Sequence, residues 1–300
     1  MKKRVSVILA AVLAAAALAG CGGKAAEVST AASEVSTAAE SSTASVSKTE
    51  ETSAAPAESV SIKIGATPSP HAEILEAAKE ALAAEGVNID IVVYNDYVQP
   101  NKAVDDGELQ ANFFQHQPYL DNFNEENGTH VVSIGKVHYE PFGIYAGKSK
   151  DLTNIADGAQ IAVPNDTTNE ARALLLLEDN GIIKLRDGAG LTATKQDIVE
   201  NPHKVEILEV EAAQIPRSIE SVDFAAMNGN YAIDAGFKPS DALAQENAQS
   251  EAAQTFANVI AVAEKDKDAE WAKKLVKVLQ SDEIVKFIDD TYEGGVIAIH

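Results

Sequence analysis

Short strand-like runs alternate with amphipathic helical stretches from residue 60 onward, and this alternation restricts the possible folds more than any other feature. The clearest helical stretch runs from Pro70 to Glu85, with apolar residues three and four positions apart and a glycine at its end. Strands that alternate with helices are typical of an α/β fold, and we expect a mostly parallel sheet. The strand-like runs are 61–66, 89–94, 131–134, 160–163, 205–210, 223–227 and 258–263, and further helices are predicted to begin near residues 166, 194, 212, 267 and 281.

The order of these runs predicts two lobes. A new strand begins after the loop at 149–154, and a last pair of helices follows residue 263. We therefore predict lobe 1 at 60–145 with 258–300, and lobe 2 at 146–257, joined by two crossovers. Because ligands of open α/β sheets bind beyond the carboxyl ends of the strands, we expect the ligand cleft between the lobes.

The N-terminus has the pattern of an export signal. Three basic residues precede an apolar run from Val5 to Ala19, which is too short to span a bilayer as a mature helix. The run ends in Leu18-Ala19-Gly20-Cys21, which resembles the lipobox of bacterial lipoproteins. We predict a signal peptide at 1–20 and a lipidated Cys21 that anchors the protein on the extracytoplasmic face of the cell membrane. An ordinary secretory signal followed by an unmodified cysteine is the alternative.

Composition separates residues 21–59 from the rest of the chain. After Cys21 this segment consists almost entirely of Ala, Ser, Thr, Glu and Val, with no aromatic residue. Such a composition cannot bury a core, so we predict a disordered linker. The chain has a formal net charge of −22, and an anionic surface repels phosphate groups, which argues against a nucleic-acid partner.

The motifs of common enzyme classes are missing from the sequence. There is no G-x-S-x-G elbow, no Walker-type phosphate loop and no G-x-G-x-x-G fingerprint after a strand. The single cysteine belongs to the lipobox, so the chain offers no thiol nucleophile. We therefore predict a protein that is not an enzyme, with no catalytic residues and no cofactor.

Histidines raise metal capture as a second class of function, since exported zinc or manganese receptors bind their ion with His and acidic ligands. The chain has six histidines, and no two of them have i, i+4 spacing. Only His71, His116 and His138 could converge on one ion. Metal binding is therefore an alternative, and we predict no metal ligands.

Aromatic and amide residues after the strand-like runs favour capture of a small molecule. Aromatic rings can enclose an apolar, polarisable side chain, and a thioether gains about 0.3–1.5 kcal/mol from a good sulfur–aromatic contact. Phe113 and Tyr119 are expected to pack inside the protein. The predicted pocket residues of this stretch are Tyr97, Phe114 and His116.

A strand end near residue 164 passes into a helix whose predicted N-cap is Asp166 or Asn165. Backbone N–H groups at such a helix start attract an anion. Arg172 lies one turn further on and could bind a carboxylate bidentately. The alternative for this arginine is a salt bridge to Glu170 or Glu178.

Asn228 follows another strand-like run. Its amide could accept a hydrogen bond from an ammonium group and donate one to a carboxylate at the same time. The alternative is that Asn228 only caps the helix that follows.

Several specific strings occur in one order between residues 63 and 295: Ile64-Gly65-Ala66, Tyr94 to Tyr97, Phe114 to Leu120, Glu140 to Tyr145 and Val163 to Asn169. Together they resemble the methionine-binding lipoprotein family, the NlpA-type substrate-binding components of methionine ABC importers. The resemblance implies a periplasmic-binding-protein-like (type II) fold of two lobes that closes on free methionine. It also implies an ABC permease and its ATPase as partners. By position, the implied ligand-binding residues are Tyr97, Phe114, His116, Asn169, Arg172 and Asn228.

The sequence departs from the family pattern at Phe142, Thr167 and Gly229. Phe142 stands where methionine is usual and could reshape the side-chain pocket. Glu140 and Tyr145 belong to the family pattern, and we interpret them as hinge or supporting residues. The expected ligand is methionine or a closely related amino acid, with a methionine-containing dipeptide or a metal ion as alternatives.

Overall fold

A computed structural model of the chain describes residues 59–247 and 255–299. The predicted signal peptide, the predicted lipidation site Cys21 and the predicted linker up to residue 58 lie outside the described residues. Within the described ranges, no helix is long and apolar enough to cross a membrane.

The strands of the described residues form two larger sheets and one short ribbon. They are β1 (Val60–Ala66), β2 (Val87–Val93), β3 (Ala111–His116), β4 (Val131–Tyr139), β5 (Gly143–Ala146), β6 (Gln160–Pro164), β7 (Lys184–Leu185), β8 (Ile198–Glu200), β9 (Glu206–Val210), β10 (Phe224–Met227), β11 (Ala242–Gln245), β12 (Asn258–Ala263) and β13 (Ile297–Ala298). The first sheet has the order β13-β4-β12-β3-β1-β2 and the second the order β11-β5-β10-β6-β9, while β7 pairs with β8.

The helices alternate with these strands, as the sequence pattern predicts. The predicted stretch 70–85 forms a short turn at Pro68–Ala72 and then a helix whose buried face carries the expected apolar residues. The helices are α1 (Glu73–Ala84), α2 (Gln99–Asp105), α3 (Gln117–Asn127), α4 (Thr167–Asp179), α5 (Ile215–Ser218), α6 (Gly229–Asp234), α7 (Glu270–Leu279) and α8 (Asp282–Tyr292).

Each larger sheet has its own hydrophobic core. In the first, Ile64 of β1 belongs to one buried cluster with Leu75 of α1 and Leu275 of α7. In the second, Ile161 of β6 belongs to a separate cluster with Leu174 of α4. The chain therefore has the two-lobe α/β architecture that the sequence predicts, with the last helices packed on the first lobe.

The expectation of a mostly parallel sheet is wrong, because both sheets are mixed. The pairs β1–β2, β1–β3, β6–β9 and β6–β10 are parallel. The strand β5 follows β4 of the first sheet but pairs antiparallel with β10 of the second, and β12 returns to pair antiparallel with β3 and β4. Each lobe thus contains one strand that arrives from the other lobe in the reverse direction.

The two passages between the sheets lie between Tyr139 and Gly143 and between Gln245 and Asn258. The predicted lobe boundaries at 145/146 and 257/258 stay predictions. Because β5 pairs with β10 and β11, we propose that lobe 1 ends before Gly143.

Strand β3 was not predicted, because amide side chains are uncommon inside strands. Here the amides bind one another: Asn101 Nδ2 donates to Gln115 Oε1 at 2.7 Å, and Gln115 Nε2 donates to Asn101 Oδ1 at 2.6 Å. Asn112 Nδ2 donates to Asn101 Oδ1 at 2.8 Å.

The helix predicted near residue 194 is wrong, since Lys195–Asp197 forms a single turn before β8.

Candidate functional site

A narrow cavity is lined by residues from the elements of both larger sheets. All six residues predicted to bind the ligand line this cavity. Its lining consists of Tyr97, Phe114, Gln115, His116, Tyr119, Glu140, Asn169, Arg172, Asn228, Gly229, Asn230 and Asn258.

Strand β3 directs Phe114 and His116 to the cavity. Residues two apart in a strand point to the same side, so these two share one face while Phe113 points to the other. Phe113 belongs to the first core and contacts His71 edge-on, with ring centroids 4.7 Å apart. The expected packing role of Phe113 is thereby confirmed. Tyr119 is also buried, as expected, but it lines the cavity as well.

The start of α4 fixes the orientation of Asn169. Asp166, one of the two predicted candidates, is the N-cap of α4. Its Oδ1 accepts a hydrogen bond from the backbone N–H of Asn169 at 3.0 Å. The same oxygen accepts from Asn169 Nδ2 at 2.9 Å. Because a carboxylate only accepts hydrogen bonds, Asn169 must turn its Oδ1 the other way. The helix start that we expected to attract an anion thus already binds the side chain of Asp166.

Asn169 Oδ1 accepts two hydrogen bonds from cavity residues. His116 Nε2 lies 3.1 Å from it, and Asn228 Nδ2 donates to it at 2.8 Å. The other ring nitrogen, His116 Nδ1, accepts from the backbone N–H of Tyr119 at 3.1 Å. The proton of His116 is therefore on Nε2 and the ring is neutral, in agreement with burial, which lowers its pKa to about 3.

Two amides leave unpaired polar atoms in the cavity wall. Asn228 uses its Nδ2 on Asn169 and makes no side-chain cap on α6, so the capping alternative is not observed. Asn230 Oδ1 accepts from Tyr97 Oη at 2.6 Å. Among the described residues, Asn228 Oδ1 and Asn230 Nδ2 are buried without a hydrogen-bond partner, as is His138 Nδ1 outside the cavity lining. Since buried polar atoms are nearly always paired, this acceptor and this donor are available to a polar ligand.

Aromatic rings form one side of the cavity. Tyr97 lies between β2 and α2, and its ring centroid is 5.7 Å from that of Phe114 and 5.6 Å from that of Tyr119. Behind it, Tyr231 stacks at a centroid distance of 4.8 Å. This group of rings offers an apolar, polarisable surface next to the two unpaired amide atoms.

Arg172 has a different partner from those expected. Its Nε donates to Glu246 Oε1 at 2.7 Å and its Nη2 donates to Glu246 Oε2 at 2.5 Å. The alternative of a salt bridge to Glu170 or Glu178 is wrong, because their carboxylates accept from the backbone N–H groups of Lys195 and Leu185. Arg172 therefore lines the cavity with its charge already matched by a carboxylate.

The surroundings of this ion pair are aromatic. The guanidinium carbon of Arg172 lies 4.3 Å from the ring centroid of Phe256 and 5.1 Å from that of Phe142. Burial alone would lower the pKa of Arg172, but Glu246 raises it above its ordinary value. Burial alone would raise the pKa of Glu246, but Arg172 lowers it. Both groups are thus charged at neutral pH.

A second cluster joins His71, His138 and Glu140, whose ligand-type atoms lie within 4.8 Å of one another. His138 Nε2 is 2.7 Å from Glu140 Oε1, whereas two ligands of one tetrahedral zinc ion are about 3.4 Å apart. We therefore interpret this pair as a hydrogen bond. His116, the third histidine that could have converged, instead binds Asn169.

The sequence did not identify several cavity residues. Asn230 lies two positions after Asn228, and Glu140 was interpreted as a hinge or supporting residue. Asn258 and the partner of Arg172, Glu246, had no local signal, because their roles depend on contacts between distant parts of the chain.

Comparison with protein families matches residues 62–300 to the NlpA lipoprotein family. The chain is also similar to the D-methionine-binding lipoprotein MetQ of Salmonella typhimurium, with 41% identity over 240 residues. This alignment covers 79% of the present chain and 87% of the relative.

Two solved structures have the same fold. A nutrient-binding protein from Burkholderia cenocepacia, bound to methionine, is 46% identical, with a TM-score of 0.76 over 80% of this chain and 100% of that one. A periplasmic substrate-binding protein of an ABC transporter from Coxiella burnetii is 43% identical, with a TM-score of 0.75 over 79% and 100% of the two chains.

Proposed function

This chain belongs to the NlpA lipoprotein family, and we propose that it is a solute-binding protein that captures methionine and delivers it to an ABC importer. It is not an enzyme. The methionine-bound structure of the Burkholderia relative and the name of the Salmonella relative support the ligand. The Coxiella relative supports an ABC permease and its ATPase as partners.

The observation that carries this proposal is the pair of unpartnered atoms, Asn228 Oδ1 and Asn230 Nδ2. An amino acid carries an ammonium group, which needs acceptors, and a carboxylate, which needs donors. In our proposal Asn228 accepts from the ammonium group and Asn230 donates to the carboxylate. Arg172 supports the carboxylate, and Asn169 holds Asn228 and His116 in position.

The thioether side chain of methionine is proposed to lie against Tyr97, Phe114 and His116. Sulfur is polarisable and gains about 0.3–1.5 kcal/mol from a good contact with an aromatic ring. Leucine can fill the same volume but lacks that contact. We therefore expect a preference for methionine that is finite rather than absolute.

Hydrogen bonds join the two walls of the cavity and imply that the lobes separate before the ligand enters. Tyr97 Oη donates to Asn230 Oδ1 at 2.6 Å, and His116 Nε2 lies 3.1 Å from Asn169 Oδ1. Both bonds link an element of the first sheet to one of the second. We propose that methionine binds the open form and that closure around it forms these contacts.

Calorimetric titration of L-methionine tests the ligand. We expect one-to-one binding with a dissociation constant in the micromolar range or below, and binding of leucine at least about tenfold weaker. The protein should be the full mature chain with Cys21→Ser, unfolded and refolded first to remove any copurified ligand. A well-folded sample that gives no heat with methionine would contradict the proposal.

A matched pair of asparagine variants tests the head-group contact in the same titration. Asn228→Ala removes the unpaired acceptor and should weaken methionine binding by more than about tenfold. Asn180→Ala, at the end of α4, removes an amide that only donates to Leu176 O and should leave the affinity unchanged. Equal affinities of the two variants would show that Asn228 does not contact the ligand.

We further propose that the protein is held on the extracytoplasmic face of the membrane by lipid on Cys21. In cells, Cys21→Ser should release the protein from the membrane fraction, because the acyl chains would be lost. Fractionation followed by immunodetection measures this. A Cys21→Ser protein that stays with the membrane would contradict lipid anchoring.

A further inference from the structure

Glu140 is a buried carboxylate in the passage between β4 and β5. Among the described residues that line the cavity, it is the only acid, and it is 4% exposed. A Cβ atom added at Gly229 would lie 2.7 Å from Glu140 Cβ and 3.3 Å from Glu140 Oε2. Glu140 therefore packs directly against the turn that carries Asn228 and Asn230, the two residues with unpaired atoms in the cavity.

Two histidines lie next to the carboxylate without neutralising it. His138 Nε2 is 2.7 Å from Glu140 Oε1, and His71 Nε2 is 3.5 Å from the same oxygen. Burial lowers the pKa of His138 to about 3 and that of His71 to about 4, so both rings are neutral at physiological pH. His138 contributes a hydrogen bond, whereas His71 Nε2 is paired with Asn258 Oδ1 at 3.1 Å, and neither ring adds positive charge.

The cation nearest to this site is already matched. Arg172 Nη2 donates to the backbone oxygen of Glu140 at 2.9 Å, while its guanidinium group forms the ion pair with Glu246. The buried carboxylate of Asp166, outside the cavity lining, caps α4. Glu140 is thus the acid at the cavity whose charge has no cationic partner in the described protein, and a buried charge without a partner is costly.

We propose that Glu140 is the counter-charge of the ligand's α-ammonium group, so that the cavity requires a ligand with an unacylated amino group. This inference rests on the proposed function as an amino-acid receptor. In this arrangement negative and positive groups alternate. The carboxylate of Glu140 pairs with the ligand ammonium group, the ligand carboxylate pairs with Arg172, and Arg172 pairs with Glu246. Asn228 Oδ1 supplies a second acceptor for the ammonium group.

The inference narrows the class of ligand. In a dipeptide with methionine in second position, the methionine nitrogen is an uncharged amide and cannot pair with Glu140. The same holds for N-acetylmethionine and for the 2-hydroxy analogue of methionine. Ligands whose methionine carries a free α-ammonium group remain, with the aromatic rings selecting the side chain.

A comparison of two ligands on two variants tests the role of Glu140. L-methionine and 2-hydroxy-4-(methylthio)butanoate differ in the ammonium group and share the carboxylate and the thioether. Glu140→Gln should weaken methionine binding by at least about thirtyfold and change binding of the hydroxy acid by less than about threefold. The matched control is Glu170→Gln, which replaces a buried carboxylate outside the cavity and should change neither affinity.

The outcomes separate the two proposals. Wild-type protein that does not bind methionine would refute the proposed function itself. If Glu140→Gln left methionine binding unchanged, only the ammonium-pairing role would be overturned. An equal loss of affinity for both ligands would also overturn that role, because it would point to a structural defect in the variant. Urea denaturation of each variant reports whether it is folded.

Proton release by the wild-type protein gives a second test that needs no folded variant. Burial raises the pKa of Glu140, and an ammonium group next to it favours the charged carboxylate, so ligand binding should displace a proton that Glu140 carries. The titratable groups facing it are His71, His138, Arg172, Tyr97 and Tyr292, whose shifted pKa values keep their charge constant between pH 5 and 8.

Calorimetry in two buffers of different ionisation enthalpy measures this release. We expect methionine binding to release more protons at pH 5 than at pH 8, with Glu170→Gln and wild type behaving alike at both values. Methionine binding without proton release at pH 5, together with equal wild-type affinities for methionine and its hydroxy analogue, would overturn the inference.

Discussion

Replacing Arg172 by alanine should lower the free energy of unfolding by about 3–5 kcal/mol and weaken methionine binding by more than tenfold. The loss of stability follows from Glu246, whose carboxylate is nearly buried and would remain without a cation. The loss of affinity is expected because Arg172 lines the cavity and, in our proposal, supports the ligand carboxylate. Urea denaturation measures the first effect and calorimetric titration the second.

Arg186 provides the matched control for this substitution. It pairs with Asp197 through its Nε at 2.6 Å, but its side chain is 59% exposed. Exposed ion pairs contribute about 0–1 kcal/mol, so Arg186→Ala should have little effect on stability and none on binding. If Arg172→Ala were no more destabilising than Arg186→Ala, the pairing with Glu246 would be energetically unimportant. Unchanged affinity in a folded Arg172→Ala protein would remove Arg172 from the ligand site.

Glu246 connects the ligand site to both passages between the sheets. It lies just after β11, at the start of the second passage, and its Oε2 accepts from Tyr139 Oη at 2.6 Å. The same oxygen accepts from the backbone N–H of Phe142 at 3.1 Å, in the first passage. In our proposal, a ligand that contacts Arg172 therefore acts on the segments that bend when the lobes move, and the arginine has both a structural and a binding role.

Local patterns explain what the sequence could predict. The 3.6-residue period identified α1, and the polar residues before an apolar helix gave Asp166 as one of two candidate caps of α4. Once β3 is a strand, the two-residue period places Phe114 and His116 on one face. These are properties of a few consecutive residues, so they are visible without knowledge of the fold.

Long-range contacts explain what the sequence could not predict. Glu246 is separated from Arg172 by 74 positions, and nothing in its neighbourhood distinguishes it from the many other acids of the chain. Glu140 becomes a site residue only because two distant residues pack against it. These are His71, in the turn before α1, and Gly229, in the second lobe. The mixed direction of the sheets likewise depends on which lobe each strand joins.

Acidification from pH 7.5 to pH 5 should destabilise the protein through three buried histidines. Burial lowers the pKa of His71 to about 4 and those of His116 and His138 to about 3, below the ordinary value of 6.5. As the pH falls below 6.5, the unfolded chain therefore binds protons that the folded chain excludes. Stability then rises with pH between about 4 and 6.5 and is flat above it, with each histidine contributing about 1.4 kcal/mol per pH unit.

Substitution of single histidines separates their contribution to the pH dependence of stability from that of the buried carboxyl groups. The pKa values of Glu140, Asp166 and Glu170 are raised by burial, so these groups oppose the histidines on acidification. In urea denaturation of ligand-free protein at pH 5, 6 and 7.5, His116→Gln should reduce the slope by about 1.4 kcal/mol per pH unit below pH 6.5. His130→Gln, which replaces an exposed ring, is the control for the substitution itself. A wild-type slope in His116→Gln would mean that the folded protein protonates this ring, against the neutral tautomer that Asn169 and Tyr119 assign to it.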